Sequence, residues 1–451
     1  MNFLFKRKAI SSILFVCFFF LLLPGCILIK RLDRTPYTET KFYQQTIDTI
    51  NRLQPAIENN NELLCGWAKV NLQPPYPTTI AIDAERKGKK FEGVRDSVYV
   101  RAFVFKQGDV KVAYVSADLL ILPPTVTELL DSILQQDGFN LNNIYLTATH
   151  THTSIGAWHN SYVGKIFAGK FDPNIPKHIA NCIAIAIKTA ANDLQPSTVG
   201  HAAVPASRLV FNRLVGEKGK VDSMLRMVKI ERAGGSSAAM ISFTAHATIF
   251  HEKMMQLSAD WPGEAVKQIE QSGKVDFACF SAGAVGSHGP FEHSKEQEEE
   301  LKYMAEGVAA IATSVLDTLS TRQVNTLRMQ RVPVYLRAPQ MRINKSFALR
   351  PKWFGKLFGN AQLYVNKLQV GNLVFVGMPC DFSGELSYNI EPTAKQLGLA
   401  LHLTSFNGGY GGYITEDKWY ELDAYETRTM GWFGPGNGNY FSELGRRLLQ
   451  K

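Results

Sequence analysis

VYVRAFVF at residues 98–105, KVAYVSAD at 111–118 and NIYLTAT at 143–149 are short runs rich in Val, Ile, Phe and Tyr. Runs of this kind read as strands. Between the second and third lies 124–137, a helical pattern that stops at Gly138, a residue suited to a helix C-terminus. Strands that alternate with helices argue for an α/β layered fold with a largely buried sheet. The same reading extends along the chain. SMLRMVKIER (223–232), AMISFTA (239–245) and VDFACFS (275–281) are further strand runs. Residues 174–194 carry a broad apolar helical face, and 294–319 open on SKEQEEE, an acidic first turn that suits a helix N-terminus. Residues 326–379 differ: they read as strands joined by turn signals, with Gly371-Asn372 between LYVNKLQV and LVFVGMP. The expected fold is therefore α/β, a mixed layered sheet flanked by helices with a more antiparallel C-terminal part.

The 451 residues are 45% hydrophobic and 20% charged, which excludes a collagen, a long coiled coil, a multi-span membrane protein and a largely disordered chain. A net charge of +9 is mild for this length and suits an anionic membrane surface or substrate at least as well as nucleic acid. No nucleic-acid partner is expected.

The first residues give an address. NFLFKRK (2–8) is basic, 9–23 is almost wholly apolar, and Leu23-Pro24-Gly25-Cys26 follows, so the start reads as an export signal. It resembles a bacterial lipoprotein signal with Cys26 as the lipidated residue, although Pro24 is an unusual choice there. The other reading is a single anchor helix, since residues 9–29 are long enough to span ~30 Å. Both place the body in the cell envelope, outside the cytoplasm. The expected organisation is a signal or anchor over 1–25, a linker over 26–62 and one folded domain over 63–451. Of the six cysteines, Cys65, Cys182, Cys279 and Cys380 are far apart and form no CxxC pair. They read as buried apolar thiols.

Four segments carry candidate chemistry. Thr149-His150-Thr151-His152-Thr153 stands where a strand ends, the edge at which α/β sheets bind ligands. Two imidazoles there serve one site if the strand breaks, or are simply solvated loop histidines. His246 ends another strand; its spacing to His251 is not HExxH, which excludes a zincin helix. Ser281-Ala282-Gly283-Ala284-Val285-Gly286-Ser287-His288 is a turn of small residues that lets backbone N–H groups approach an oxyanion, but it is not a G-x-S-x-G elbow. Met378-Pro379-Cys380-Asp381-Phe382-Ser383-Gly384-Glu385 follows a strand. After it come Phe406–Thr415, dense in Gly and Tyr, then Tyr425-Glu426-Thr427 and Gly434-Pro435.

The order of these segments resembles the catalytic domain of the neutral/alkaline, non-lysosomal ceramidase family. Phe91–Asp96 and Val100-Arg101-Ala102 resemble its early strand, and Thr149–His152 its THTH motif. The turn at Ser287 resembles its serine segment, and Asn407–Pro435 its C-terminal signature. The resemblance covers roughly residues 64–440. It implies one Zn2+ held by His150, His246, Asp381 and Tyr413, with Glu385 as the alternative carboxylate, because Pro379-Cys380-Asp381 stands where the family has Pro-Gly-Glu. It implies His152 as proton carrier, Ser287 in the place of the family serine, and Tyr425 as oxyanion donor. Arg213 lines the site, with Arg208 a nearby competitor. Matched on Val285 without a gap, the family serine falls on Gly286. The chain stops soon after Gly434-Pro435, so the extra C-terminal immunoglobulin-like domain is not expected.

The implied activity is hydrolysis of the N-acyl amide of ceramide or a related bacterial lipid at a membrane surface. Zinc-bound water is the preferred nucleophile, and a Ser287 acyl-enzyme is the alternative. Two other functions stay open: hydrolysis of a different amide or ester, and metal binding without catalysis.

Overall fold

The computed structural model describes residues 28–82, 86–359 and 362–451. The expected leader over 1–25 and the lipidation site Cys26 lie outside these residues. No helix among the described residues is long and apolar enough to cross a membrane.

Two sheets stack face to face between layers of helices. The larger has eight strands in the order Phe277–Ala282, Ser237–Phe243, Met224–Arg232, Gln195–Pro205, Leu63–Asn71, Tyr99–Gln107, Val110–Ala117 and Ile144–Ala148. It is antiparallel in the middle and parallel at both edge pairs. The smaller sheet runs Leu327–Val334, Leu363–Val370, Leu373–Gly377 and Ala400–Thr404, antiparallel except for its last pair. Gly371, at φ 63°, turns the hairpin predicted at Gly371-Asn372.

The layer between the sheets is aromatic. Tyr114 and Tyr145 stack at 5.2 Å, and Phe375 of the small sheet packs on Tyr114 at 5.1 Å. Both phenols are buried and satisfied: Tyr114 donates to Ser281 Oγ and Tyr145 shares a bond with Thr404 Oγ1, each 2.7 Å long. This avoids the cost of an unpaired polar group in an apolar layer. On the outer face of the large sheet lie helices Pro124–Leu134, Asn174–Asn192, Asp260–Gln271 and Gln297–Thr318. Helices Lys41–Asn51, Ser387–Gln396 and Asn437–Leu449 cover the small one.

The strands and helices read from sequence occur within a few residues of their expected bounds. Strand Gln195–Pro205 escaped that reading. Its sequence, QPSTVGHAAVP, is small and polar, and it is a strand because it pairs along its whole length with Met224–Arg232. The four cysteines beyond the leader are buried and free, as expected.

The segment expected as a linker differs more. Ile29–Arg31 pairs with Phe347–Leu349, and helix Lys41–Asn51 buries Ile47 and Ile50 against the small sheet. The short run of apolar positions in that helix hid how fully its inner face is used.

The architecture gathers strand ends. Ile144–Ala148, Ser237–Phe243, Phe277–Ala282, Leu373–Gly377 and Ala400–Thr404 belong to parallel pairs. Their carboxyl ends lead into the segments that hold His150, His246, Ser287, Asp381 and Tyr413. In parallel sheets this is the edge where ligands bind.

The helix–sheet spacing on the outer face is set partly by Gly66, where a Cβ would stand 1.9 Å from the Ala190 carbonyl oxygen of helix Asn174–Asn192. Gly66→Ala is expected to destabilise the protein by about 1–3 kcal/mol, the usual cost of overpacking. A Cβ at Gly93 meets only a flexible side chain at 3.5 Å, so Gly93→Ala should stay within about 0.5 kcal/mol of wild type. Urea midpoints at constant slope check both.

Candidate functional site

The strand Ile144–Ala148 is broken by His150, which takes φ 65°. That left-handed backbone is costly for a residue with a Cβ. It is held by His150 N donating to Leu119 O (3.0 Å) and by the imidazole stacking on Phe406 at 4.0 Å. Phe406, Ser287 and Asp260 also have positive φ. Asp260 accepts from Ile249 N and Phe250 N in the segment after His246. Unfavourable backbone of this kind gathers where function fixes geometry.

Backbone carbonyls decide the imidazole tautomers. His150 Nδ1 lies 2.7 Å from Leu120 O, and His246 Nδ1 lies 2.9 Å from both Val285 O and His288 O. A carbonyl only accepts, so each Nδ1 carries the proton and each Nε2 keeps its lone pair. Burial is the largest influence on all three imidazoles, pressing His150 down to about 3 and His152 and His246 well below the ordinary range. They are neutral, the state in which imidazole ligates a metal.

Asp381 sits between them. Its strand, Asp381–Phe382, pairs in parallel with Tyr413–Ile414. Oδ2 accepts from Tyr410 OH at 2.8 Å, whereas the buried Oδ1 has no hydrogen-bond partner among the described residues. That oxygen lies 3.4 Å from His150 Nε2 and 3.3 Å from His246 Nε2, and Tyr413 OH lies 3.2 Å from His246 Nε2. A tetrahedral zinc with ligands at ~2.0–2.1 Å has ligand-to-ligand edges of about 3.3 Å. The orphaned oxygen, the lone pairs and the spacing together fit one cation held by His150, His246, Asp381 and Tyr413.

His152 Nε2 is 3.3 Å from His150 Nε2, and the three imidazoles' donor atoms lie within 4.8 Å of one another. Unlike His246 and Asp381, His152 also faces a cavity of about 570 Å³. Leu120, Trp158, Phe167, Phe354 and Trp432 make its walls apolar, and Tyr410, Tyr413 and Tyr425 stand beside the histidines. Tyr425 is half-exposed, with its phenol pushed up to about 12, mainly by the apolar wall. It stays a hydrogen-bond donor at neutral pH.

Arg213 lies behind the cluster. Its Nη2 donates to Tyr413 OH (2.9 Å) and to His246 Nε2 (3.1 Å), a position the guanidinium would give up on the imidazole side when that nitrogen holds a cation. Its Nε donates to Glu426 Oε1 (2.9 Å), and its backbone N donates to Ser287 O (2.9 Å). Glu426 is a residue whose role the sequence left unread, as is Tyr410 on Asp381. The dense tyrosines of 406–413 and the Tyr425-Glu426 pair were the signal.

Two alternatives separate in the structure, and one expectation changes. Glu385 is turned away: Oε1 accepts from Lys220 N (3.1 Å) and Oε2 from Trp419 Nε1 (2.9 Å), so Asp381 is the carboxylate at the histidines. Arg208 is exposed to solvent, and Arg213 is the guanidinium at the site. Ser287 is fully buried, and its Oγ donates to Glu426 Oε2 at 2.8 Å. The hydroxyl is engaged with Glu426, and Ser287 does not line the cavity. At Gly286 a Cβ would meet Asp381 O at 2.5 Å, so that position has no room for a side chain.

The sequence model for the neutral/alkaline non-lysosomal ceramidase N-terminal region matches residues 84–321, more than half of the chain. The chain belongs to that family. A neutral ceramidase of Mycobacterium tuberculosis (strain ATCC 25618 / H37Rv) is 24% identical over 235 residues, which is 46% of this chain and 37% of that relative. The match thus spans well under half of the relative's length. The fold is shared with neutral ceramidase from Pseudomonas aeruginosa, at TM-score 0.74 and 17% identity over 87% of this chain and 74% of that one. A ceramidase complexed with C2 superposes equally well, at TM-score 0.74 and 16% identity over 86% and 75% of the two chains.

The ligand set makes a direct prediction. His150→Ala, His246→Ala and Asp381→Ala should each lower bound metal by at least about tenfold, as loss of one ligand from a four-ligand site does. Glu385→Ala should retain it. Metal content of the purified proteins by mass spectrometry is the measurement, and equal loss in Glu385→Ala and Asp381→Ala would refute the assignment.

Proposed function

We propose that this protein hydrolyses the N-acyl amide bond of ceramide or a related bacterial lipid with the help of Zn2+, releasing a fatty acid and a long-chain amine. The observation that carries the reading is the unpartnered Oδ1 of Asp381 among neutral imidazoles at the end of an apolar cavity. Family membership supports the reaction class, and the relatives' descriptions as ceramidases support the substrate class.

The ion would be held by His150, His246, Asp381 and Tyr413. When bound, zinc supplies Lewis acidity and brings the pKa of water to near ~7, which provides both polarisation and a nucleophile at neutral pH. The chain's own residues do the rest. The apolar walls hold the acyl chain and keep bulk water from the amide. His152 starts neutral, accepts a proton on its imidazole and returns it to the leaving amine. Tyr425 donates from its hydroxyl to the oxygen that gains charge, a contribution worth ~2–4 kcal/mol by analogy with other oxyanion donors. Arg213, steadied by Glu426, fixes the direction of the Tyr413 hydroxyl. Ser287 acts through Glu426, a positioning role that leaves the water route favoured over an acyl-enzyme.

His152→Ala should keep the metal and lose about 10²–10⁴-fold in kcat, the range of a general acid–base group. Ser287→Ala should lose far less and leave metal content unchanged. A fluorescent ceramide and a generic ester, each assayed with and without chelator, give the measurement. Ester turnover without ceramide turnover would assign the same chemistry to another amide or ester. Loss of neither substrate on chelation would overturn the metal-dependent reading, and a trapped acyl adduct on Ser287 would restore the alternative nucleophile.

A further inference from the structure

The cavity has a basic, partly apolar outer surface that the chemistry above does not use. Helices Tyr162–Ala168 and Pro351–Phe358 pack together, and each turns one face inward. Val163 and Phe167 of the first and Phe354 and Phe358 of the second line the cavity. Their outward faces carry Tyr162, Lys165 and Ile166 on one helix and Lys352 and Lys356 on the other, all exposed. Tyr162 is 66% exposed, unusual for so large a ring.

The surface continues without a break. Helix Pro351–Phe358 follows directly from strand Phe347–Leu349, which pairs with Ile29–Arg31. The turn before that strand exposes Ile343, Lys345 and Phe347. Leu28, also exposed, sits at the near end of the ribbon, where Arg350 N donates to its carbonyl. Across the cavity, exposed Asn160 and Tyr335 form part of the rim.

Charge on this surface has one sign. Residues 341–359 hold Arg342, Lys345, Arg350, Lys352 and Lys356 and no acidic residue, and 159–171 hold Lys165 and Lys170 and none. The acids that meet the ribbon are already paired, Glu421 with Arg34 and Arg342, and Asp33 with Arg337. Among the described residues, Lys165, Lys170, Lys345 and Lys352 have no acidic partner. The one acid on the cavity wall is Glu128.

Exposed aromatic and branched side chains interleaved with unpaired lysines suit the boundary between anionic headgroups and acyl chains. A protein partner of acidic charge would also meet the lysines, but the cavity walled by the inner faces of the same two helices favours a surface from which an acyl chain can enter. We infer that this face docks on an anionic lipid bilayer, with helices Tyr162–Ala168 and Pro351–Phe358 and the turn 343–347 at the contact. The inference rests on the reading of the cavity as a lipid site and names the route by which a bilayer lipid reaches it. Leu28 and Ile29, which close the apolar run 9–29 of the sequence, lie beside this same face.

The test uses the full chain and two readouts. Vesicles of brominated phosphatidylcholine and phosphatidylglycerol at a 7:3 ratio should quench tryptophan fluorescence. A part of that quenching should vanish in Trp353→Phe, since Trp353 lies on helix Pro351–Phe358 outside the cavity wall. The combined variant Lys165→Glu, Lys345→Glu, Lys352→Glu should lose the Trp353-dependent part. It should also turn over vesicle-embedded ceramide at least about tenfold more slowly, because each reversed charge weakens attraction to the anionic surface. Its rate on detergent-dispersed ceramide should stay within about twofold of wild type, as the three residues lie outside the cavity, and this controls for folding. Quenching independent of Trp353 and of the lysines, or equal rate losses in vesicle and detergent, would overturn the docking face. Equal quenching by vesicles of brominated phosphatidylcholine alone would overturn the requirement for anionic lipid. No turnover of ceramide in either form would fail the catalytic reading while leaving the quenching result to judge the face.

Discussion

One buried carboxylate oxygen organises this molecule. Asp381 Oδ1 is withdrawn from water, has no hydrogen-bond donor, and faces two imidazole nitrogens that also offer only lone pairs. Acceptors held together in an apolar interior repel one another unless positive charge joins them; Arg213 Nη2, 3.1 Å from His246 Nε2, meets one of the three, and Asp381 Oδ1 is left without a donor. The surrounding fold is built to keep them there. Carbonyls of Leu120, Val285 and His288 fix the tautomers, Tyr410 takes the other carboxylate oxygen, and Arg213 takes the phenol. These supports come from several strand ends, which is why the two stacked sheets and their parallel edges matter to the chemistry.

The same supports explain the order of partners behind the cluster. Glu426 receives both Arg213 and Ser287, so one carboxylate couples the guanidinium to the small-residue turn. The serine's hydroxyl thereby belongs to the scaffold of the arginine. Strained backbone at His150, Ser287 and Phe406 shows where the chain accepts a local cost to hold this arrangement.

Much of this was legible before any coordinates. The Val-, Ile-, Phe- and Tyr-rich runs at 98–149 gave the layered fold, since alternation and burial leave a direct imprint on composition. His150 and His246 were visible because histidines at strand ends are chemically conspicuous. Asp381 and Glu385 could not be separated: they stand four residues apart, and only tertiary structure sends one toward the imidazoles and the other toward Trp419. The partner of the Ser287 hydroxyl was hidden for a related reason, because Glu426 stands 139 residues away in sequence. Strand Gln195–Pro205 and the packing of residues 28–51 were hidden because their structure comes from partners distant in sequence.

The crowding at Gly286 has a mechanical consequence. A side chain placed there lands on the carbonyl of Asp381, the residue that supplies the carboxylate oxygen. A hydroxymethyl group at that spot would therefore push on the 381–382 backbone and shift the carboxylate that faces the imidazoles. The close approach of the two backbones at 286 and 381–382 thus ties the small-residue turn to the position of that carboxylate.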